Sequence, residues 1–567
     1  MIVQNTDKAV CREISSLLVE HGVKDVILSP GSRNAPLIMA VARDGRLRHR
    51  VVVDERCAAF MALGLAARIG RPVALVCTSG TAMLNYAPAV AEAYYREIPL
   101  IVITADRPQE WIDQDDSQTI RQYGALNKIV KSSYNIPVET GDATQMWMVN
   151  RLLNDALTDA VTGRRGPVHI NVQLDVPLTG QSTGAAGYTP RRIDIVSRPS
   201  MLPTAQARAL ARQLAPPRKV LVIAGFLPPD TKLNRALGRL AAIPNVAVLH
   251  EAQANLHGLD SMGHIDRILG SMTDRERYEL LPDTVITLGG SLVSRFVKAW
   301  LRGAPGVSHW HVGERGQSVD CFKCLSKRIE LPPGSFMPQL ASAMQPFATG
   351  TSDYNSRWAA LAEKARDSYR AYVRRAPWSD MTAIDRLLRA VPDKANLQAG
   401  NGTAIRYVQL ADYGHIHRID SNRGVSGIDG CTSTAIGASL GYEHLTVLVT
   451  GDMSAQYDMG ALAQNCIPPT FRMAVLNNGG GGIFRFIDST AALDELDECF
   501  VTDVRLPLKE LASGFGFRYL SADSADTLDK ALPLFMGHSD RPVILDIKTD
   551  GAVSARVLRK YFSDISK

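Results

Sequence analysis

An acid, two amides and four glycines lie close together in the last third of the chain, each group at the end of an apolar run. Asp452 closes "TVLVTGD", and about 25 residues later "AVLNNGGGG" supplies Asn477, Asn478 and Gly479 to Gly482. One carboxylate, one amide oxygen and a backbone carbonyl form a set of hard oxygen donors. That set suits Mg²⁺, which prefers octahedral oxygen and completes its shell with water and phosphate. Four consecutive glycines lose much chain entropy on folding and pack nothing, so something must approach the main chain closely. A flexible linker is the alternative, but linkers sit in polar Gly/Ser surroundings, whereas this run lies between "RMAVL" and "IFRFI". The reading adopted is a magnesium diphosphate site whose glycine N–H groups are free for phosphate oxygens.

Such a site needs parallel strands that end together, because ligands of doubly wound sheets bind at the carboxyl ends. The chain supplies them in three sets. The first contains "DVILS", "HRVVVD", "PVALVCT", "PLIVITA" and "PVHINVQLDVP", preceded by a helix with Thr6 as its expected cap and Gly22 as its stop. Continuous apolar strands separated by helical stretches imply parallel sheets covered on both faces. Residues 179–200 lose the pattern and read as a linker. A second set, "KVLVIAG", "NVAVLHE", "DTVITLGG" and "VSHWHVG", fades by about residue 345. The third runs from "MTAIDRLLRAV" through "HLTVLVTGD", "FRMAVLNNGG" and "PVILDIKTD". The expected fold is therefore α/β, with three doubly wound parallel-sheet domains at 1–180, 200–345 and 376–567.

The bulk numbers fit this division. A chain of 567 residues exceeds what one core holds, and roughly two to four domains are expected. With 46% hydrophobic and 21% charged residues and no low-complexity tract, it reads as globular. The net charge of +6 is scattered rather than gathered into a basic stripe, so nucleic acid is not an expected partner. No apolar stretch reaches the roughly 18 residues of a membrane span, and the first residues lack a signal-peptide pattern, so a cytoplasmic location is expected. Cys321 and Cys324 form a lone CxxC without nearby histidines, read as plain thiols rather than a zinc site.

The strand, GD, spacing and NN pattern resembles the cofactor motif of thiamine diphosphate enzymes, although Met453 replaces the usual third glycine. The strings "SPGSRNAPL", "DERCAAF", "ALVCTSGTA", "ITADRP", "SQTIRQ", "SNRGVSGIDG" and "GDMSAQYDMGAL" narrow the resemblance. Together they are similar to the 2-succinyl-5-enolpyruvyl-6-hydroxy-3-cyclohexene-1-carboxylate synthase family of menaquinone biosynthesis. The resemblance covers the first and third domains nearly end to end. It implies pyrimidine-binding, central and diphosphate-binding domains, with thiamine diphosphate and Mg²⁺ (or Mn²⁺) as cofactors. It also implies a transferase that decarboxylates 2-oxoglutarate and adds the succinyl-semialdehyde carbanion equivalent to isochorismate in a 1,4 fashion. The partner implied is a second copy of the chain, in a homodimer or dimer of dimers, each site borrowing its glutamate from the neighbour.

The resemblance also assigns residues. Glu55, just after "VVV" and before "AAFMALGLA", is the acid that hydrogen-bonds the pyrimidine ring. Asp452, Asn478 and the carbonyl of Gly480 are the implied metal ligands. Ile428 is the wedge that bends the cofactor, while Ser454, Gly481, Ile483 and Phe484 line its pocket. Both substrates are dicarboxylates, which guanidinium forks bind bidentately. Arg33, Arg107, Arg406 and Arg423 stand in matching strings at strand ends or helix starts. Ser32, Arg33, Arg107 and Gln118 are assigned to the isochorismate and pyrimidine side, with Gln118 and Arg33 counted as catalytic. Arg406 and Arg423 are assigned to substrate carboxylates, with Asn401, Arg295 and Phe484 as further substrate contacts. Ser117, Gly402 and Gly479 depart from the family pattern, and Arg295 stands where a lysine is common. Two rivals are weighed: an acetolactate synthase-like carboligase, expected to carry GDG and an FAD-adapted central domain, and a non-catalytic ligand sensor, which loss of Glu55 or Asp452 would have favoured.

Overall fold

The computed structural model describes residues 4–182, 189–196, 200–259, 262–502 and 506–565. Two parts of the expected linker, 183–188 and 197–199, lie outside the described residues. Three parallel sheets carry the fold. The first runs in the order Arg48–Val51, Asp25–Leu28, Val73–Cys77, Leu100–Asp106, Val168–Gln173, Ser133–Ile136. Its inner strands are buried throughout, as expected of apolar runs covered on both faces. The third sheet repeats that order with Arg418–Asp420, Asn396–Ala399, Thr446–Gly451, Phe471–Asn477, Val543–Lys548 and Arg518–Ala522. The central sheet has five strands, Val246–His250, Val220–Ala224, Thr284–Leu288, Ser308–Val312 and Leu325–Ile329.

The shared order fixes where ligands can sit. In both six-stranded sheets the first and third strands of the set are neighbours whose connections leave in opposite directions, opening a crevice at their carboxyl ends. Ser32 and Arg33 follow the first strand of the first sheet, and Asn401 and Asp452 follow the first and third strands of the third sheet.

Two sequence expectations are corrected here. Thr6 does not cap the first helix: it lies in the short strand Asn5–Thr6, and its hydroxyl accepts from Lys8 N–H at 3.3 Å while the helix begins at Ala9. The strand before Glu55 is not buried either. It is the edge strand Arg48–Val51, and Val51 and Val53 remain 57% and 71% exposed.

The chain divides into two compact units. One comprises Met1–Ser197, Gly424–Glu443 and Tyr457–Pro468. In it the helices Glu55–Ile69 and Cys431–Leu440 cross at backbone distance. A Cβ on Gly64 would stand 1.9 Å from the Thr434 carbonyl, and one on Gly437 would stand 2.0 Å from that of Met61. Buried Asp458 ties the crossing together, accepting from Ser433 N–H at 2.6 Å and Ser433 Oγ–H at 2.9 Å. The other unit comprises Arg198–Arg423, His444–Gln456 and Pro469–Lys567, and holds the central and third sheets. Helix Tyr354–Val373 serves both of those cores, burying Tyr354, Trp358 and Leu361 in one and Tyr369, Tyr372 and Val373 in the other.

Candidate functional site

Asp452 opens the helix Asp452–Tyr457 directly after its strand and is buried. Its Oδ2 accepts the N–H groups of Asn478, Gly479 and Gly480 at 3.1, 2.9 and 3.0 Å, and its Oδ1 accepts that of Met453 at 2.7 Å. Burial pushes the carboxyl above the usual carboxylate range, against the pull of these four donors. The next two N–H groups are also engaged: Gly481 donates to the Val501 carbonyl at 2.8 Å, and Gly482 to the Gly480 carbonyl at 2.7 Å.

The glycine run is therefore not a row of free N–H donors, and that expectation is corrected. Its bareness answers to the chain itself. A Cβ on Gly480 (φ +133°) would stand 2.2 and 2.4 Å from the carbonyls of Thr502 and Val501, and one on Gly481 would stand 2.8 Å from that of Phe500. Gly479, with φ +86°, occupies a left-handed conformation that the acid or amide common there would adopt only with strain.

The two asparagines do different work. Asn477 donates to Asp546 at 3.0 Å, fastening neighbouring strands. Asn478 donates through Nδ2 to Asp380 at 2.8 Å, and its Oδ1 is buried with no donor facing it among the described residues. A buried amide oxygen without a partner is costly unless something else satisfies it. With Asp452 Oδ1, which accepts only one N–H, and the Gly480 carbonyl, it makes an oxygen set that fits a hard cation. Asn478 and Gly479 also line an open cavity of about 590 Å³ that carries Arg485 and Lys548. Ser454 is buried two residues beyond Asp452, and Ile483 and Phe484 are half-buried on the helix Gly482–Phe486.

In the same unit, Asn401, Arg406 and Arg423 converge. Asn401 is buried; its Oδ1 accepts from Arg423 Nη1 at 3.1 Å and its Nδ2 donates to the Asn422 carbonyl at 2.6 Å. Arg406 lies on the helix Ala404–Leu410 with a buried Nε that no group faces among the described residues. Burial, and then the charges of Arg295 and Arg423, lower it to about 10. A buried guanidinium set among further positive charges favours an anionic guest, although the charges of Asp266 and Glu251 act the other way. Gly402 has φ +85°, so the serine common in the family would be strained there.

A residue the sequence reading missed supports this cluster. Buried Glu251 accepts the N–H groups of Val293 and Ser294 at 2.7 and 2.8 Å, holding the turn from which exposed Arg295 begins its helix. Burial pushes its carboxyl up to about 7. The available signal was an acid directly after the buried strand of "NVAVLHE".

The first unit holds the remaining residues expected from sequence. Glu55 is half-buried at the start of the helix Glu55–Ile69, whose cap is Asp54, accepting from Cys57 N–H at 3.1 Å. Arg33 is buried and donates to the Leu174 carbonyl at 2.8 Å. Burial and the neighbouring charge of Arg107 lower its basicity. Arg107 directly follows the strand Leu100–Asp106 and holds the Asp116 carboxylate at 2.6 Å. Asp116, also missed from sequence, thus shows Arg107 already taking a carboxylate. Ser32, Ser117 and Gln118 are exposed, Gln118 with φ +60°. Ile428 is half-buried in a loop anchored by Glu92, which accepts from Gly424 and Val425 N–H at 2.8 and 2.7 Å.

An α/β chain with an acid–amide pair at neighbouring carboxyl ends of a doubly wound sheet belongs to a recognisable class. The family described as thiamine pyrophosphate enzyme, N-terminal TPP binding domain, matches residues 10–125, which places the chain among thiamine diphosphate enzymes. It is 41% identical to the 2-succinyl-5-enolpyruvyl-6-hydroxy-3-cyclohexene-1-carboxylate synthase of Porphyromonas gingivalis, over 99% of this chain and 98% of that one. Enzymes of the same name from Cytophaga hutchinsonii (35%, 98% of each chain) and Bacteroides fragilis (34%, 99% of each chain) are also similar. The chain belongs to the 2-succinyl-5-enolpyruvyl-6-hydroxy-3-cyclohexene-1-carboxylate synthase family.

Proposed function

We propose that the protein is a thiamine diphosphate-dependent transferase of menaquinone biosynthesis that decarboxylates 2-oxoglutarate and joins the remaining four-carbon unit to isochorismate by 1,4-addition. The observation that carries the substrate half is the buried guanidinium of Arg406, its Nε faced by no group among the described residues and its charge set beside those of Arg295 and Arg423. An acetolactate synthase-like enzyme acting on a monocarboxylate has no use for it. The bound cofactor supplies a carbon nucleophile that stabilises charge after decarboxylation. Asp452, Asn478 and the Gly480 carbonyl hold Mg²⁺ or Mn²⁺ in this reading, and Ser454, Gly481, Ile483 and Phe484 line the cofactor pocket. Glu55 would hydrogen-bond the pyrimidine nitrogen of the cofactor and serve as its proton donor and acceptor, and Ile428 would pack against it as an apolar prop. Arg406, Arg423, Asn401 and Arg295 bind substrate carboxylates, and Ser32, Arg33, Arg107 and Gln118 face isochorismate. The protein acts in the cytoplasm as a homodimer or dimer of dimers.

The direct test is to supply thiamine diphosphate, Mg²⁺ and 2-oxoglutarate and measure CO₂ release with and without isochorismate. Release that ignores isochorismate would contradict the carboligase reading. Arg33→Ala and Arg423→Ala should each cost about 2–4 kcal/mol of transition-state binding, read from the fall in kcat/KM, the cost of leaving one member of a desolvated charge pair alone. Pyruvate turned over by the wild type as efficiently as 2-oxoglutarate would defeat the arginine assignment.

A further inference from the structure

Asp380 is the first residue of the helix Asp380–Ala390 and is buried, 98 residues before the asparagine it touches. Both of its carboxylate oxygens are engaged. Oδ1 accepts the Thr549 hydroxyl at 2.5 Å and Oδ2 accepts Asn478 Nδ2 at 2.8 Å, while its backbone N–H donates to Ser554 Oγ at 3.0 Å. The carboxylate is thus held from two sides and cannot turn without losing a bond. An amide can present either end to a neighbour at almost no steric cost, and only its hydrogen-bond partners decide which. An ionised carboxylate accepts and never donates, so it draws the Asn478 nitrogen toward itself. The Asn478 oxygen is left on the other side, buried and without a donor among the described residues.

We infer that Asp380 is a positioning residue that turns the oxygen of Asn478, rather than its nitrogen, toward the cation. The inference rests on the reading of Asn478 as a metal ligand. It assigns to Asp380 the part that hydrogen-bonding partners of metal ligands commonly play, fixing a ligand's orientation without touching the metal. The alternative is that Asp380 merely joins its helix to the strand ends, in which case any group able to hydrogen-bond Asn478 would serve.

The two accounts part on Asp380→Asn. An asparagine there matches the aspartate in size but can meet residue 478 with either end, accepting from it while its own N–H₂ turns to the Thr549 hydroxyl, or donating to it. In the second arrangement Asn478 turns its oxygen toward residue 380 and its N–H₂ toward the cation, a donor facing positive charge, so the orientation that ligates is no longer imposed before the metal arrives. Exchanging the pair, Asp380→Asn with Asn478→Asp, restores the geometry: the amide at 380 donates to one carboxylate oxygen at 478 and the other faces the cation.

The experiment measures Mn²⁺ binding to the full-length chain by electron paramagnetic resonance in the presence of thiamine diphosphate, with metal-free thermal unfolding as the check on folding. Asn478→Ala should lose Mn²⁺ affinity; if it does not, the ligand reading fails and the inference falls with it. Asp380→Asn should lose about 10–100-fold, and the exchanged pair should return to within about threefold of the wild type, recovery that a purely structural tie would not produce. Wild-type affinity in Asp380→Asn, with Asn478→Ala impaired, overturns the inference and leaves the ligand reading standing. An exchanged pair no better than Asp380→Asn also overturns it. If Asp380→Asn alone does not fold, the exchanged pair decides: near wild-type Mn²⁺ affinity supports the inference, and a tenfold or greater loss refutes it.

Discussion

Asp452→Ala should abolish thiamine diphosphate binding and activity together, the largest effect expected of any single substitution. Two losses coincide. In the proposed site the cation is deprived of its directly ligating carboxylate, and a hard cation without one holds a diphosphate poorly. The three N–H groups of Asn478, Gly479 and Gly480 also lose their shared acceptor, Oδ2. Each buried donor left unsatisfied costs on the order of 1–3 kcal/mol, so the turn carrying two further ligands should loosen. Calorimetric titration with thiamine diphosphate and Mg²⁺ reads the first loss, and thermal unfolding without ligands reads the second. Unchanged cofactor affinity would sink the metal assignment.

Glu55→Gln should behave differently, keeping the cofactor but losing about 10²–10⁴-fold in kcat, the range expected when a positioned acid can no longer move a proton. Glutamine preserves the side chain's size, and the helix keeps its cap because that is supplied by Asp54. A wild-type kcat would end the proposed role. The same variant tests the proposed assembly. Alone, Glu55→Gln should keep at most about 1% of the wild-type kcat, as its 10²–10⁴-fold loss implies, and Asp452→Ala should be inactive. In a two-fold dimer whose sites borrow their glutamate from the neighbour, a mixed dimer gathers both lesions in one site and none in the other. Random exchange makes about half of the dimers mixed, so roughly a quarter of all sites should regain activity. No recovery, with exchange verified independently, would refute the shared site and leave the chemistry of Glu55 standing.

The inner strands were legible because they are apolar without interruption: "VALVC", "LIVITA" and "VLVIA" all lie fully buried. Of the strands the sequence reading passed over, Ser133–Ile136, Leu325–Ile329, Arg418–Asp420 and Arg518–Ala522 lie at sheet edges, while Asn396–Ala399 is inner and buried but hides its signal in the polar residues of "NLQA". With one side open, edge residues need not be apolar, and the signal thins. Asp452 and Asn478 could be placed because a short spacing fixes both at neighbouring strand ends. Asp380 and Glu251 could not, because their partners are 98 and 42 residues away and only folding brings them together. The glycine run was noticed for good reason but misread in detail. Sequence reveals that a backbone must be bare, while only the structure reveals that the chain's own carbonyls at 500–502 need the room.

That arrangement bears on how cation and cofactor depend on each other. From Asn478 to Gly482 every backbone N–H already donates within the protein, so an incoming anion finds no uncommitted dipole along the run. Its attraction to this edge of the sheet must come from full charges: the cation proposed at Asp452 and Asn478, and the side chains of Arg485 and Lys548 in the adjoining cavity. Cation and diphosphate then act as co-ligands with a large mutual coupling, and thermodynamic reciprocity makes the factor by which Mg²⁺ tightens the diphosphate equal to the factor by which the diphosphate tightens Mg²⁺. A titration of thiamine diphosphate repeated across a Mg²⁺ series should accordingly show its apparent affinity climbing with the metal until the cation saturates, with weak retention of either component when the other is withdrawn.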